Sequence, residues 1–203
     1  TTGGSYVAGG TYAYGTTVDL PDTNPTREGY TFEGWYPGYD ETEGTVTGEK
    51  VTSSVTIEGN TTLYANWTPQ TVNYTVIYMK EVYVSGSGDN MVTNWVYENS
   101  TTSTGTVGST VNANDAPAYS GTLTGYERDT TKNGNPDVSE SSQIVIEADG
   151  SSVLKVYYKL IRYTFVFNPN SGTISIGGNT YTNTNYTVTG IVLGQDVASI
   201  WPA

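Results

Sequence analysis

The chain contains no cysteine and no histidine. Together these absences remove thiol nucleophiles, the Ser-His-Asp arrangement, and thiolate or imidazole metal sites. Missing cysteine does not fix the redox compartment, because disulfides are dispensable in many cytosolic and Gram-positive secreted proteins. Basic residues are scarce too: 8 Lys and Arg face 20 Asp and Glu, for a net charge of −12. That field repels nucleic acid and anionic membrane, so neither is expected as a partner. No run of about 18 apolar residues exists, and no charged stretch followed by an apolar one opens the sequence. No membrane insertion or targeting is therefore expected within this segment. Starting at Thr1 without Met and stopping at "SIWPA", the sequence reads as a fragment of something longer.

Phenylalanine is rare as well, with 3 against 18 tyrosines. A phenol packs its face while its hydroxyl stays wet, which suits thin sheets with one solvated side. Hydrophobic residues make up 35% of the chain and aromatics 12%, so small cores built on Tyr and Trp are expected. Thr, Val and Ile with 24 glycines and 8 prolines give the composition of strands joined by tight turns. At roughly 100 residues per domain, a 203-residue chain holds two to three modules.

Alternation is plain in "TVNYTVIY", where Val72, Tyr74, Val76 and Tyr78 share one face. "QIVIEA" at 143–148, "SVLKVYY" at 152–158 and "YTFVF" at 163–167 also read as strands. "GQDVASIWPA" offers one short turn of helix before Pro202 stops it. "TPQ" at 68–70 and "KLIR" at 159–162 punctuate the strands. They divide the chain into 1–69, 70–160 and 161–203, with hardly any linker. Short linkers favour a stiff rod over flexible beads.

"YGTTVDLPDTNPTREGYTFEGWYPG", continuing to "VTIEGNTTLYANWTP", resembles the internalin-type B repeat, also called the Listeria-Bacteroides repeat, of bacterial surface proteins. The resemblance rests on Tyr14-Gly15, Leu20-Pro21, Pro25-Thr26-Arg27, Gly29-Tyr30-Thr31-Phe32, Gly34-Trp35-Tyr36 and Thr62-Leu63-Tyr64-Ala65-Asn66-Trp67. Residues 71–160 resemble a mucin-binding (MucBP-like) repeat through "YTVIYM", "STGTVGSTV", "LTGYE" and "VLKVYYK". The family's usual acidic-Gly turn after the first strand is replaced by "KEVYVSGSGDNMVTNWVYE". Residues 161–203 resemble the first half of another B-type repeat, ending before any Gly-Trp element. These resemblances imply a mainly β chain of tandem small β-grasp-like modules in an elongated arrangement, exported and held on a Gram-positive envelope.

On a regular strand, alternation sets Tyr30, Phe32 and, past Gly34, Tyr36 on one face, with Trp35 on the other. The glycines there permit a bulge. Tyr30, Phe32, Trp35, Leu63, Tyr64 and Trp67 are taken as the first core, and Val76, Tyr78, Val156 and Tyr158 as the second. The alternative for Trp35 and Trp67 is a sugar-stacking platform. Trp95 and Tyr97, in the atypical "NMVTNWVYE", are the candidate ligand-binding pair, suited if exposed to a saccharide ring or a host protein. Trp201 is read as an anchor of the last segment.

"KNGNPDVSE" offers Asn133, Asn135, Asp137 and Glu140 as oxygen donors around Gly134. It lacks the alternating carboxylates and bidentate glutamate of a calcium loop, and Pro136 intrudes, so a polar turn is expected there and no metal. "SGSGDN" at 85–90 reads as a hairpin turn. The Asn-x-Thr/Ser triplets at Asn60, Asn66, Asn73, Asn99 and Asn185 are expected to stay bare in a bacterial protein. Lys155, alternating with Val153 and Tyr157, could face inward for a Lys-Asn cross-link or lie with its ammonium in water. Carboxylates sit mostly in turns, with no paired acid and base in a cleft-forming scaffold. No enzyme activity and no cofactor are expected. The sequence supports a non-catalytic surface stalk or spacer whose partners are neighbouring repeats, the alternative being direct adhesion to mucin-type glycan or host protein.

Overall fold

The computed structural model describes residues 3–86, 90–133 and 142–202. The chain is mainly β, with 49% strand and 3% helix and no closed barrel among the described residues. It forms two compact units, Thr1–Tyr74 with Thr104–Thr110 and Val145–Ser152, and Thr75–Ser103 with Val111–Ile144 and Val153–Ala203.

The first six strands are β1 (Thr17–Asp19), β2 (Tyr30–Tyr36), β3 (Gly38–Asp40), β4 (Thr45–Thr47), β5 (Ser54–Thr56) and β6 (Tyr64–Pro69). They pair antiparallel as β1 with β5, β2 with β6 and β3 with β4. Strand β2 is not regular. Its register against β6 shifts between Phe32 and Gly34, leaving Glu33 as the extra residue of a bulge. The extra residue moves Trp35 to the side of Phe32, correcting the strict alternation that set them apart. Phe32 then meets Trp35 and Trp67 edge-on, at ring separations of 5.4 and 5.3 Å. Gly34 has φ +138°, a backbone conformation that residues with a Cβ rarely adopt. On the other side, Tyr39 of the β3–β4 hairpin stacks on Tyr64 at 5.6 Å.

Next come β7 (Thr71–Ser85), β8 (Val92–Thr106), β9 (Thr110–Asn112), β10 (Tyr126–Arg128), the short helix α1 (Thr130–Asn133), β11 (Gln143–Val145) and β12 (Val153–Leu160). Strands β10, β12, β7 and β8 form a sheet in that order, and β9 pairs with β11. Strand β12 is antiparallel to β10 and parallel to β7. Being flanked on both edges, it carries the buried Leu154, Val156, Tyr157 and Leu160. Strand β7 alternates as its sequence predicts, with Tyr74, Val76 and Tyr78 buried. Arg128 closes the loop over this sheet by donating to the carbonyls of Ala113, Asn114, Ala116 and Pro117. Tyr78 donates its hydroxyl to the Pro117 carbonyl as well, at 3.1 Å.

The last strands are β13 (Tyr163–Phe167), β14 (Thr173–Ile176), β15 (Asn179–Thr182) and β16 (Tyr186–Ile191). Strand β13 pairs with β16, and β14 with β15 across Gly177-Gly178. Both glycines have positive φ, as a tight two-residue hairpin requires. A 3-10 turn at Ala198–Ile200 leads to Trp201, which meets Phe165 and Phe167 edge-on at 5.5 and 5.0 Å.

Candidate functional site

Of the residues taken as core, Val76, Tyr78 and Val156 are buried. Tyr30, Phe32, Trp35, Leu63, Tyr64, Trp67 and Tyr158 are half-buried. Trp35 lines an open cleft of about 700 Å³ together with Val18, Leu20, Val55, Ile57 and Leu63, and among the described residues Asp19 is the one carboxylate on its wall. Trp67 borders a second hollow of about 480 Å³ where, among the described residues, Glu41 is the one carboxylate. Among the described residues, no cluster of three carboxylates is placed to hold a metal ion. Asn135, Asp137 and Glu140 of the polar turn lie outside the described residues, as do residues 87–89 of the turn expected at 85–90.

Trp95 and Tyr97 sit on β8, two residues apart and so on one face. Their environments differ. Trp95 is half-buried, its indole edge-on to the buried Tyr157 at 5.0 Å. Lys132 of α1 sets its ammonium 5.1 Å from the Trp95 ring and 4.5 Å from that of Tyr157, a cation–π arrangement that occupies part of the surface a sugar would stack on. Tyr97 is 59% exposed, with its hydroxyl 3.3 Å from Ser100 Oγ.

Lys155 is half-buried on β12, between the exposed Val153 and the buried Tyr157. A different ionic group, absent from the sequence expectations, lies near the end of β7. The buried Glu81 carboxylate accepts from Arg162 Nη2 at 2.8 Å, Arg162 Nη1 at 3.2 Å, the Leu160 N–H at 2.9 Å and Thr93 Oγ1 at 2.7 Å. Burial pushes this carboxyl up. The hydrogen bonds from Arg162, Thr93 and Leu160, with the guanidinium charge, outweigh that and hold it below its ordinary value. Alternation on β7 would have left Glu81 opposite Tyr78, and its partner lies 81 residues away, so nothing local announces the pair.

The chain passes from β6 to β7 through Gln70 and from β12 to β13 through Ile161 and Arg162. Both passages use one geometry. The Tyr30 N–H bonds the Arg27 carbonyl at 3.1 Å, and the Tyr126 N–H the Leu123 carbonyl at 3.2 Å. The intervening Gly29 and Gly125 have φ +74° and +79°, the third-residue conformation of a type II turn. Each glycine carbonyl then accepts the N–H of the passage residue, Gln70 at 2.8 Å and Ile161 at 2.9 Å. Neither residue is a free linker.

The likeness extends upstream. Gly15 N–H bonds Ile57 O, Ile57 N–H bonds Thr16 O, and Leu20 N–H bonds Ser53 O, at 2.8 Å each. Gly108 N–H to Ile146 O, Ile146 N–H to Ser109 O, and Ala113 N–H to Ser142 O repeat the set at 2.9, 2.9 and 2.7 Å. Residues 14–70 and 107–161 thus share one backbone ladder.

Residues 1–66 match the Listeria-Bacteroides repeat domain family, so that region is similar to a known repeat unit. No curated protein and no solved structure matches the chain.

Proposed function

We propose that this chain is a non-catalytic repeat segment of a bacterial cell-surface protein, acting outside the cell as a stalk or spacer. Its modules are 1–69, 70–160 and the opening strands of a third at 161–203, with β-grasp-like layouts in the first two and a mucin-binding-like character in the second. The reading of 161–203 as a partial B-type repeat follows from the same tandem order. One observation carries the reading: each passage residue, Gln70 and Ile161, is hydrogen-bonded to a turn glycine of the preceding strands. A connection held this way adds no slack between consecutive modules. The family match supports a surface repeat, and the net charge of −12 keeps like chains apart rather than drawing in nucleic acid.

Small-angle scattering of the purified chain tests the proposal. A single extended form, unchanged between low and high salt, is expected; an ensemble of freely jointed, collapsed shapes would reject it. The second reading, direct adhesion through Trp95 and Tyr97 to mucin-type glycan or host protein, is favoured by the open phenol of Tyr97. It requires binding on a glycan array that drops at least tenfold in Tyr97→Ala. A blank array, with Trp95→Ala and Tyr97→Ala indistinguishable from the parent, removes it.

A further inference from the structure

Three stretches share the order ring or aliphatic residue, glycine, two residues, valine: Tyr14-Gly15-Thr16-Thr17-Val18, Val107-Gly108-Ser109-Thr110-Val111 and Leu193-Gly194-Gln195-Asp196-Val197. Their glycines have φ of +80°, +80° and +85°. Each turn closes by an N–H three residues on, Thr16 to Ala13, Ser109 to Thr106 and Gln195 to Val192, at 3.2, 3.0 and 3.2 Å. They are three examples of one turn.

In two of the three, the residue before the glycine seats on the glycine of a Gly-Tyr turn. A Cβ placed on Gly29 would lie 3.0 Å from Val107 Cγ2 and 2.6 Å from Ala148 Cβ. One placed on Gly125 would lie 3.0 Å from Leu193 Cδ2 and 3.2 Å from Leu193 Cβ. Their left-handed φ requires glycine, and the side chain resting on each leaves little room for a Cβ. The arrangement is a knob on a socket, and it forms beside Gln70 and again beside Ile161. Val107 is 8% exposed and Leu193 55%. Tyr14, the third knob, is 81% exposed.

We propose that Tyr14 is the knob of a third joint of this kind, and that the surface around it docks on the Gly-Tyr turn of another module of this type. The partner is defined by chemistry already seen twice: a type II turn whose glycine leaves room for a side chain, followed by tyrosine. Gly29 and Gly125 are both filled, so the partner turn belongs to a further repeat. A second feature agrees. Strand β12 is paired on both edges, while β6, which holds the same place in the ladder shared by 14–70 and 107–161, is paired among the described residues with β2 alone. Among the described residues β6 thus has an edge with no paired strand, where a further repeat could add one. This inference rests on the stacked-module reading and specifies its contact.

The test uses the absence of cysteine, which lets pairs of introduced thiols be spin-labelled cleanly. In the full chain, labels at Asn112→Cys and Thr180→Cys report the joint at Ile161. A narrow distance distribution is expected for the parent and for Leu193→Tyr, with at least a twofold broadening for Leu193→Gly. A second measurement fuses two copies so that Val192 of the first runs into Tyr14 of the second. It is labelled at Asn112 of the leading copy and Thr45 of the trailing one, where Tyr14→Gly should broaden a narrow distribution by a similar factor. If Leu193→Tyr is as broad as Leu193→Gly, or the fusion ignores Tyr14→Gly while the parent joint stays narrow, the Tyr14 assignment is wrong and the stalk reading survives. If the parent joint is itself broad, the stalk reading fails first.

Discussion

Residues 14–70 and 107–161 share a ladder of hydrogen bonds and differ in how well they bury what hangs from it. In the first stretch Pro25 is buried, while the aliphatic side chains and the rings remain half-buried or more open. In the second, Ala113, Ala116, Leu154, Val156, Tyr157 and Leu160 are buried. The backbone is not the cause. Strand β12 has β7 paired on its second edge, whereas among the described residues no strand pairs with the second edge of β6, and a two-stranded ribbon gives less cover for a core than a wider sheet. The contrast separates what a turn-and-ladder sequence dictates from what an added strand supplies.

The sharpest way to break that contrast is to hollow both stretches. Leu154→Ala should cost about 2–5 kcal/mol, as for a fully buried leucine. Phe32→Ala should cost roughly half as much, because its ring is only partly removed from water. Amide exchange read separately on β12 and β2 checks this, since one global transition is not assured in a chain with two compact units. Equal losses at the two sites would show that β6 is sealed as well as β12.

Next in size is the Glu81–Arg162 pair. Arg162→Ala should cost about 1–3 kcal/mol by leaving a buried carboxylate short of donors. In the folded chain Glu81 titrates below its ordinary 4.5, so folding favours its charged form. Its contribution is complete above that pH and is lost as pH falls through the lower folded value. Protection of the Leu160 amide, which Glu81 holds, should be flat above about pH 4.5 and decline below it. In Arg162→Ala the decline should start at higher pH. An unchanged pH profile in that variant would mean that the guanidinium does not govern the carboxyl.

A smaller effect is expected on β8. Trp95→Ala should cost about 0.5–1.5 kcal/mol for the lost ring pair, beyond the buried area it gives up. Tyr97→Ala should stay within about 0.5 kcal/mol, as surface changes do. Chemical denaturation followed by far-ultraviolet circular dichroism distinguishes them, and the reverse ranking would make Tyr97 the structural ring. Smallest is Lys80–Glu98. The hydrogen bond to Glu98 leads in raising the Lys80 pKa, yet the partly exposed pair should contribute about 0–1 kcal/mol and less in high salt. Comparing Glu98→Gln with the parent at two salt concentrations measures it.

The strands were legible where alternation ran unbroken, as in Val72 to Tyr78, and the turns were legible as glycines. Three things were not. The bulge at Glu33 reversed the side of Trp35, and only the neighbouring Gly34 hinted at it. The burial of Glu81 depended on an arginine far along the chain, which no local pattern encodes. Trp95 gained its neighbours from α1 and β12, so sequence could place it beside Tyr97 but could not tell that Lys132 would lie over it. The recurring glycine turns at Gly15, Gly108 and Gly194 were present in plain text. They stood out only once their shared hydrogen bonds marked them as one motif.

The parallel pairing of β7 with β12 has a mechanical consequence. The chain enters this pair at the N-terminal end of β7 and leaves it at the C-terminal end of β12. Tension applied along the chain would therefore slide the two strands past each other, straining their cross-strand bonds together instead of peeling them one by one. A sheet wired in this direction yields by shear, the more resistant of the two modes.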